Sequence, residues 1–326
     1  VATAKQQRIN PKSVPSKKKK GGRPGGRPKA AAPVRKATLG DWIAGARLRT
    51  IPLAIAPVAL GTATAYLLDD QQWHWVRALL CLAVAIALQI AVNYANDYSD
   101  GVRGTDRHRV GPARLTGSGA AKPRTVLTVA IVFFAIAAVA GAAVVYLSQQ
   151  WWLLAVGAAC IVAAWFYTGG KKPYGYYGLG EVFVFVFFGL VATAGTTYVQ
   201  AGTVNLETWV AGTAVGFLAC AVLMINNVRD LAGDKAAGKR TLAVLIGDMP
   251  ARITYAVLVS LPFLLLVFFV LFYDNAGYVY FALLAAAPAV LIALTGKQPS
   301  EFVLALRLTT LTALAFGLGL AWAIAF

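Results

Sequence analysis

From about residue 40 the chain alternates between apolar runs long enough to cross a bilayer and short polar breaks. Nine such runs lie near 40–68, 77–100, 124–147, 150–168, 179–200, 207–231, 250–273, 277–295 and 303–326, some reaching full length only with their amphipathic ends included. They predict an all-α fold, a bundle of nine transmembrane helices. The run Glu181-Val-Phe-Val-Phe-Val-Phe-Phe-Gly alternates like a strand. A lone strand in lipid would leave its backbone groups unpaired, so a helix is expected there too.

Two interruptions of the apolar pattern stand out. At the end of the second run, Asn93, Asn96, Asp97 and Asp100 recur at i, i+3, i+4 and i+7 and so share one helix face. A mid-membrane carboxylate facing lipid costs about 2.5–3.5 kcal/mol on insertion scales, so this stripe should face protein or a watery cavity. At the end of the sixth run, Asn226, Asp230 and Asp234 recur at i, i+4 and i+8. Asn226 and Asp230 repeat Asn96 and Asp100 at an offset of 130 residues. The third position breaks the match: Gly104 stands opposite Asp234, with Asp106 nearby in the loop.

One such cluster at a helix end reads as a solvated terminus or a cap. Two matched clusters at one membrane face read differently, because their carboxylates would repel one another without cations. Hard divalent metal suits oxygen ligands, and Mg²⁺ is typically held by one or two carboxylates together with the phosphates of a substrate. A diphosphate bridged by Mg²⁺ is therefore expected. Arg103, Arg114, Lys122, Lys171, Lys239 and Arg240 are candidate phosphate donors.

Composition agrees with a membrane protein: mean hydropathy is +0.65, and 13% of residues are charged against about 25% in an average soluble domain. The net charge of +17 belongs mostly to a tail. Residues 1–36 hold twelve of the thirty basic residues and no acid, which leaves +5 for residues 37–326. This tail has no apolar core of a signal peptide and is expected to be a disordered basic cytoplasmic segment, drawn to lipid headgroups rather than to nucleic acid. Residues 37–326 form the expected membrane domain. Its loops near 69–75, 148–150, 201–206 and 273–276 contain no Lys or Arg, whereas the other side carries nearly every basic residue, Arg77 excepted. The positive-inside rule then places the N-terminus in the cytoplasm and the C-terminus outside. Cys81, Cys160 and Cys220 each sit alone in an apolar run and read as small buried hydrophobes.

Together, Asn96-Asp97-x-x-Asp100, Tyr167-x-x-x-Lys171 and Asn226-x-x-x-Asp230-x-x-x-Asp234 resemble the motifs of the UbiA superfamily of intramembrane aromatic prenyltransferases, in the family's order. Four further stretches are similar to the branch acting on 1,4-dihydroxy-2-naphthoate in menaquinone biosynthesis. They are Ala46-Arg47-Leu-Arg49-Thr-Ile-Pro, Asp106 followed by Arg109-x-Gly-Pro-x-Arg114, Gly178-Leu-Gly-Glu181 and Gly238-Lys239-Arg240-Thr241. The resemblance implies a Mg²⁺-dependent transfer of a polyprenyl chain from its diphosphate to the aromatic acid, with loss of diphosphate and carbon dioxide. It implies metal ligation by Asn96, Asp97, Asp100, Asp106, Asn226, Asp230 and Asp234, and catalytic roles for Tyr167, Lys171, Arg47 and Glu181. Asn93 joins the cationic donors in binding substrate. A multi-pass protein of the cell membrane is implied as well. The alternatives are a UbiA-type enzyme for another acceptor such as 4-hydroxybenzoate and, from a different class, a cation-coupled transporter.

Overall fold

The computed structural model describes residues 35–105 and 114–326, and every regular element among them is helical. The helices are α1 (Leu39–Ala46), α2 (Pro52–Leu68), α3 (Trp75–Arg103), α4 (Pro123–Ser148), α5 (Leu153–Phe166) and α6 (Gly180–Ala201). They continue as α7 (Leu206–Ala236), α8 (Leu242–Ile246), α9 (Asp248–Phe272), α10 (Asp274–Thr295) and α11 (Pro299–Ala325). The expected basic tail falls almost wholly in residues 1–34, and Asp106 and Arg109 in residues 106–113, outside the described residues.

The expectation of nine spanning helices is met by seven: α3, α4, α6, α7, α9, α10 and α11 are each long and apolar enough to cross a membrane. An eighth is gained if the bent pair at the start of the membrane domain counts as one span. The run at 40–68 is divided because α1, opened by a Thr38–Asp41 capping box, closes on Arg47 in the left-handed region (φ 53°). Pro52 then starts α2 at an angle of 44°. The run at 150–168 yields only the 14-residue α5, a rise of about 21 Å against a hydrocarbon core of about 30 Å.

Helix α7 is the axis of the bundle. Of its most apolar window 72% is buried, against 28–50% in the other six. Small residues allow this: a Cβ placed on Gly189 of α6 would lie 2.6 Å from the Cα of Gly216 in α7, so the two backbones touch. Around that contact α6 widens to i→i+5 hydrogen bonding over Phe185–Val191, so the aromatic run is helical as expected, although not regularly so. Hydroxyls add ties within the membrane, with Thr64 Oγ1 2.8 Å from Thr197 Oγ1 and Gln200 Nε2 donating to Thr62 Oγ1 at 3.1 Å. Leu79, Val139, Leu264, Leu271, Leu284 and Leu291 point outward, as a lipid-facing surface requires.

Arg77, the exception to the charge bias, has a local explanation. Its guanidinium donates to Gln200 O (3.1 Å) and Leu147 O (2.9 Å), closing carbonyls at the C-terminal ends of α6 and α4.

Candidate functional site

The site grows from the C-terminal ends of α3 and α7. Helix α3 stops at Gly104, whose φ of 72° supplies the left-handed cap. One turn earlier, Asp100 is 1% exposed and surrounded by donors. Its Oδ2 lies 2.7 Å from Arg114 Nη1 and 3.0 Å from Lys239 Nζ, while Oδ1 accepts from the Tyr176 hydroxyl. Arg114 also donates to the Asn96 carbonyl at 2.9 Å. Asn96 Oδ1 accepts from Thr168 Oγ1, which holds the α5–α6 loop against α3. Asp97 turns to the loop instead: its two oxygens accept from Leu115 N and Thr116 N, each at 2.8 Å.

On α7, Asp230 has one partner in the adjacent residue. Arg229 holds Asp230 through two parallel bonds, Nε to Oδ1 at 2.8 Å and Nη2 to Oδ2 at 2.7 Å. Arg229 Nη1 is buried without a hydrogen-bond partner among the described residues, a spare charged donor. Asp234 Oδ1 lies 3.8 Å from Lys239 Nζ, so Lys239 faces acids of both helices. One turn inward, Asn227 Nδ2 donates to Glu181 Oε1 at 3.0 Å and links α7 to the start of α6.

These groups enclose a polar chamber of about 90 Å³, lined by Asp100, Asp230 and Asp234 and by Arg47, Arg114, Arg229 and Lys239. Cations outnumber carboxylates, so the chamber suits an anion. Below it an apolar cavity of about 540 Å³ runs between α3, α4, α5 and α6. Arg47, Asn96, Tyr167, Leu223 and Asn226 line both spaces and form their junction. The cavity reaches Cys81, fifteen residues before Asn96 on α3 or about 22 Å along the helix axis. A charged head and a long apolar tail can thus be held end to end.

The structure brings together Arg47, Asn93, Asn96, Asp100, Arg114, Tyr167, Asn226, Asp230, Asp234 and Lys239 along these two spaces. Other residues singled out from the sequence lie elsewhere. Lys122, Lys171 and Arg240 are exposed and line neither space. Arg103 donates to the carbonyls of Thr168 and Gly170, and Glu181 sits behind the wall on Asn227. Tyr176, Thr168 and Gln89 were not picked out by pattern. Tyr176 had a faint signal in the Tyr174-Gly-Tyr176-Tyr177 cluster after Pro173. Burial, and then the neighbouring Asp100 carboxylate, push its phenol well above the usual tyrosine range, so it keeps its O–H and donates a hydrogen bond to Asp100. Lys239 Nζ and the Arg103 guanidinium also lie over its ring, at 4.8 and 5.5 Å from the centroid.

A cationic chamber opening onto an intramembrane apolar cavity suits an amphiphile with an anionic head and a long apolar tail. The UbiA prenyltransferase family model matches residues 54–301, and the chain belongs to this family. It is 49% identical over 304 residues to a 1,4-dihydroxy-2-naphthoate octaprenyltransferase of Mycobacterium tuberculosis, covering 89% of this chain and 98% of that one. The enzyme of the same description from Escherichia coli is 39% identical over 253 residues, 75% of this chain and 81% of its own. Among solved structures, a UbiA homolog from Archaeoglobus fulgidus bound to GPP and Mg²⁺ has the same fold, with a TM-score of 0.61 at 17% identity. That match covers 86% of this chain and 98% of the other.

Proposed function

We propose that the protein transfers a polyprenyl chain from an allylic polyprenyl diphosphate to 1,4-dihydroxy-2-naphthoate, releasing diphosphate and carbon dioxide. The observation that carries this reading is the junction itself, where a cationic chamber meets a long apolar cavity at Arg47, Asn96, Tyr167 and Asn226. The diphosphate occupies the chamber and the prenyl tail the cavity. At 49% identity over nearly its whole length, the mycobacterial relative supports the naphthoate as acceptor.

Among the described residues no three His, Cys, Asp or Glu side chains come close enough to hold a metal by themselves. Mg²⁺ does not require three, since one or two carboxylates and the substrate's own phosphate oxygens suffice. Asp230 and Asp234, with Asn226 beside them, supply hard oxygen donors on the chamber wall and fit that ion, while Asp100 and Asn96 opposite hold Arg114, Lys239 and Thr168 in place. When bound it would neutralise charge on the departing diphosphate. Asp97 is committed to the Leu115 and Thr116 amides, so its part is to fix the loop that carries Arg114.

Arg114, Lys239 and Arg229 hold the diphosphate as the allylic C–O bond breaks. Tyr167 at the junction and Tyr174 and Phe183 below it, their rings stacked 3.9 Å apart, present π faces to the allylic cation and exclude water. The electron-rich ring attacks that cation, and its carboxylate, oriented by Arg47, leaves as carbon dioxide. Nine membrane crossings, reached by counting the bent α1–α2 pair as one and the short α5 as another, with the N-terminus in the cytoplasm, the cell membrane as location and a dispensable basic tail at 1–36 complete the proposal.

The test is a reaction of purified protein with Mg²⁺, a polyprenyl diphosphate and either aromatic acid. The proposal expects diphosphate and carbon dioxide in equal amounts with the naphthoate. Turnover with 4-hydroxybenzoate alone, or diphosphate without carbon dioxide, contradicts it.

A further inference from the structure

The polar stripe on α3 runs one turn deeper than the acids need. Gln89 is four residues before Asn93 and seven before Asn96, so the three lie on one face, and all three line the apolar cavity. Gln89 is 5% exposed and close to the middle of a 29-residue membrane helix, where an amide is costly unless satisfied. Only half of it is. Its Nε2 reaches Thr50 O at 2.5 Å and Thr50 Oγ1 at 2.7 Å. A backbone carbonyl only accepts, so the atom facing it has to be the amide nitrogen, which settles the orientation of the group. Gln89 Oε1 is left buried with no hydrogen-bond partner among the described residues.

An orphaned acceptor in a residue that lines the cavity selects for a ligand that carries a donor. The diphosphate offers acceptors and negative charge, and the prenyl tail offers neither donor nor acceptor. The phenolic hydroxyl of an aromatic acceptor is the remaining chemistry. Arg47 lines both the chamber and the cavity, and Thr50 lies one turn on in the same bent linker. A ring whose carboxylate meets Arg47 therefore extends toward the level of Gln89, about 10.5 Å below Asn96 along the α3 axis.

We infer that Gln89 is a specificity-determining residue that accepts a hydrogen bond from a ring hydroxyl of the aromatic acceptor, with Thr50 holding its amide in place. The inference rests on the proposed aromatic prenyl transfer. It goes further by assigning a contact on the hydroxyl rather than the carboxylate.

The experiment is a two-by-two comparison in detergent-purified full-length protein. Wild type and Gln89→Met are each assayed with the dihydroxynaphthoate and with analogues in which one hydroxyl is replaced by hydrogen. Wild type should lose about five- to twentyfold in kcat/KM on one of the two deoxy analogues, because the buried acceptor then stays unpaired. Gln89→Met should lose a similar factor on the full acceptor and discriminate about five- to twentyfold less than wild type against that analogue, the part that remains being the lower reactivity of the less electron-rich ring. A merely structural role for Gln89 would lower both acceptors equally and leave the discrimination intact, which overturns the inference. Gln89→Leu, which removes the acceptor oxygen with a different shape, should show the same reduced discrimination and serves if the Met variant does not fold. Equal rates of wild type on both deoxy analogues and the full acceptor also overturn it. Absence of any prenyl transfer by wild type would instead reject the underlying reaction.

Discussion

Asp100 on α3 and Asp230 on α7 occupy matching places in two copies of Asn-x-x-x-Asp, yet the molecule uses them differently. Asp100 is sealed in, with Arg114, Lys239 and Tyr176 converging on its two oxygens from three separate segments. Asp230 is paired with the residue beside it, and its side chain is 13% exposed against 2% for Asp100. Asp97 repeats the lesson: it spends both oxygens on the loop that delivers Arg114. The α3 cluster thus assembles the cationic side of the chamber, whereas in the proposed reaction the α7 cluster is the one that meets the metal ion.

The largest effect should come from Asp100→Ala. Removing it takes from Arg114 and Lys239 the buried carboxylate they share, at a cost of about 3–5 kcal/mol. Thermal unfolding in detergent should move down by several degrees or more, and turnover should be lost. Asp230→Asn should separate the two roles by lowering turnover on the order of a hundredfold with a smaller fall in the unfolding temperature than Asp100→Ala, because its amide oxygen still accepts one bond from Arg229. If it unfolds the protein as Asp100→Ala does, the contrast between the clusters fails. Asp97→Asn substitutes an NH₂ for one of two oxygens that accept backbone N–H groups, a loss of about 1.5–3 kcal/mol. Proteolysis should then cut the 114–121 loop faster, with a smaller fall in turnover than for Asp230→Asn. The smallest effect belongs to Lys171→Ala. Its side chain is exposed and lines neither space, so turnover should stay within about twofold of wild type.

Much of this architecture was legible because lipid imposes strict patterns. Apolar run length found α3, α4, α6, α7, α9, α10 and α11, and helical spacing put Asn96 with Asp100 and Asn226 with Asp230 on shared faces. The failures have physical causes as well. Hydropathy counts residues without seeing a left-handed Arg47, so one run became the bent α1–α2 pair, and it counted the loop around Tyr167 with α5, whose helix is short.

Charge was harder to read than hydropathy. Every basic residue near the clusters satisfied the same pattern, and only the fold separates Arg114 and Lys239, in the chamber, from Lys122, Lys171 and Arg240, on the surface. Asp97 could not be told from Asp100 by spacing, since its role depends on a loop eighteen residues away. The stripe was also read too short: Gln89 continues it, but a lone amide inside an apolar run carries no signal until Thr50 is seen to satisfy only one end.

The division between the two clusters is tested most directly by titrating Mg²⁺ into prenyl-transfer assays of Asp97→Asn and Asp230→Asn beside wild type. Asp230→Asn should need at least about tenfold more Mg²⁺ for half-maximal rate, the scale of losing one charged ligand contact, and Asp97→Asn should need the same concentration as wild type. An equal shift in both variants, or a shift in Asp97→Asn alone, would contradict the account.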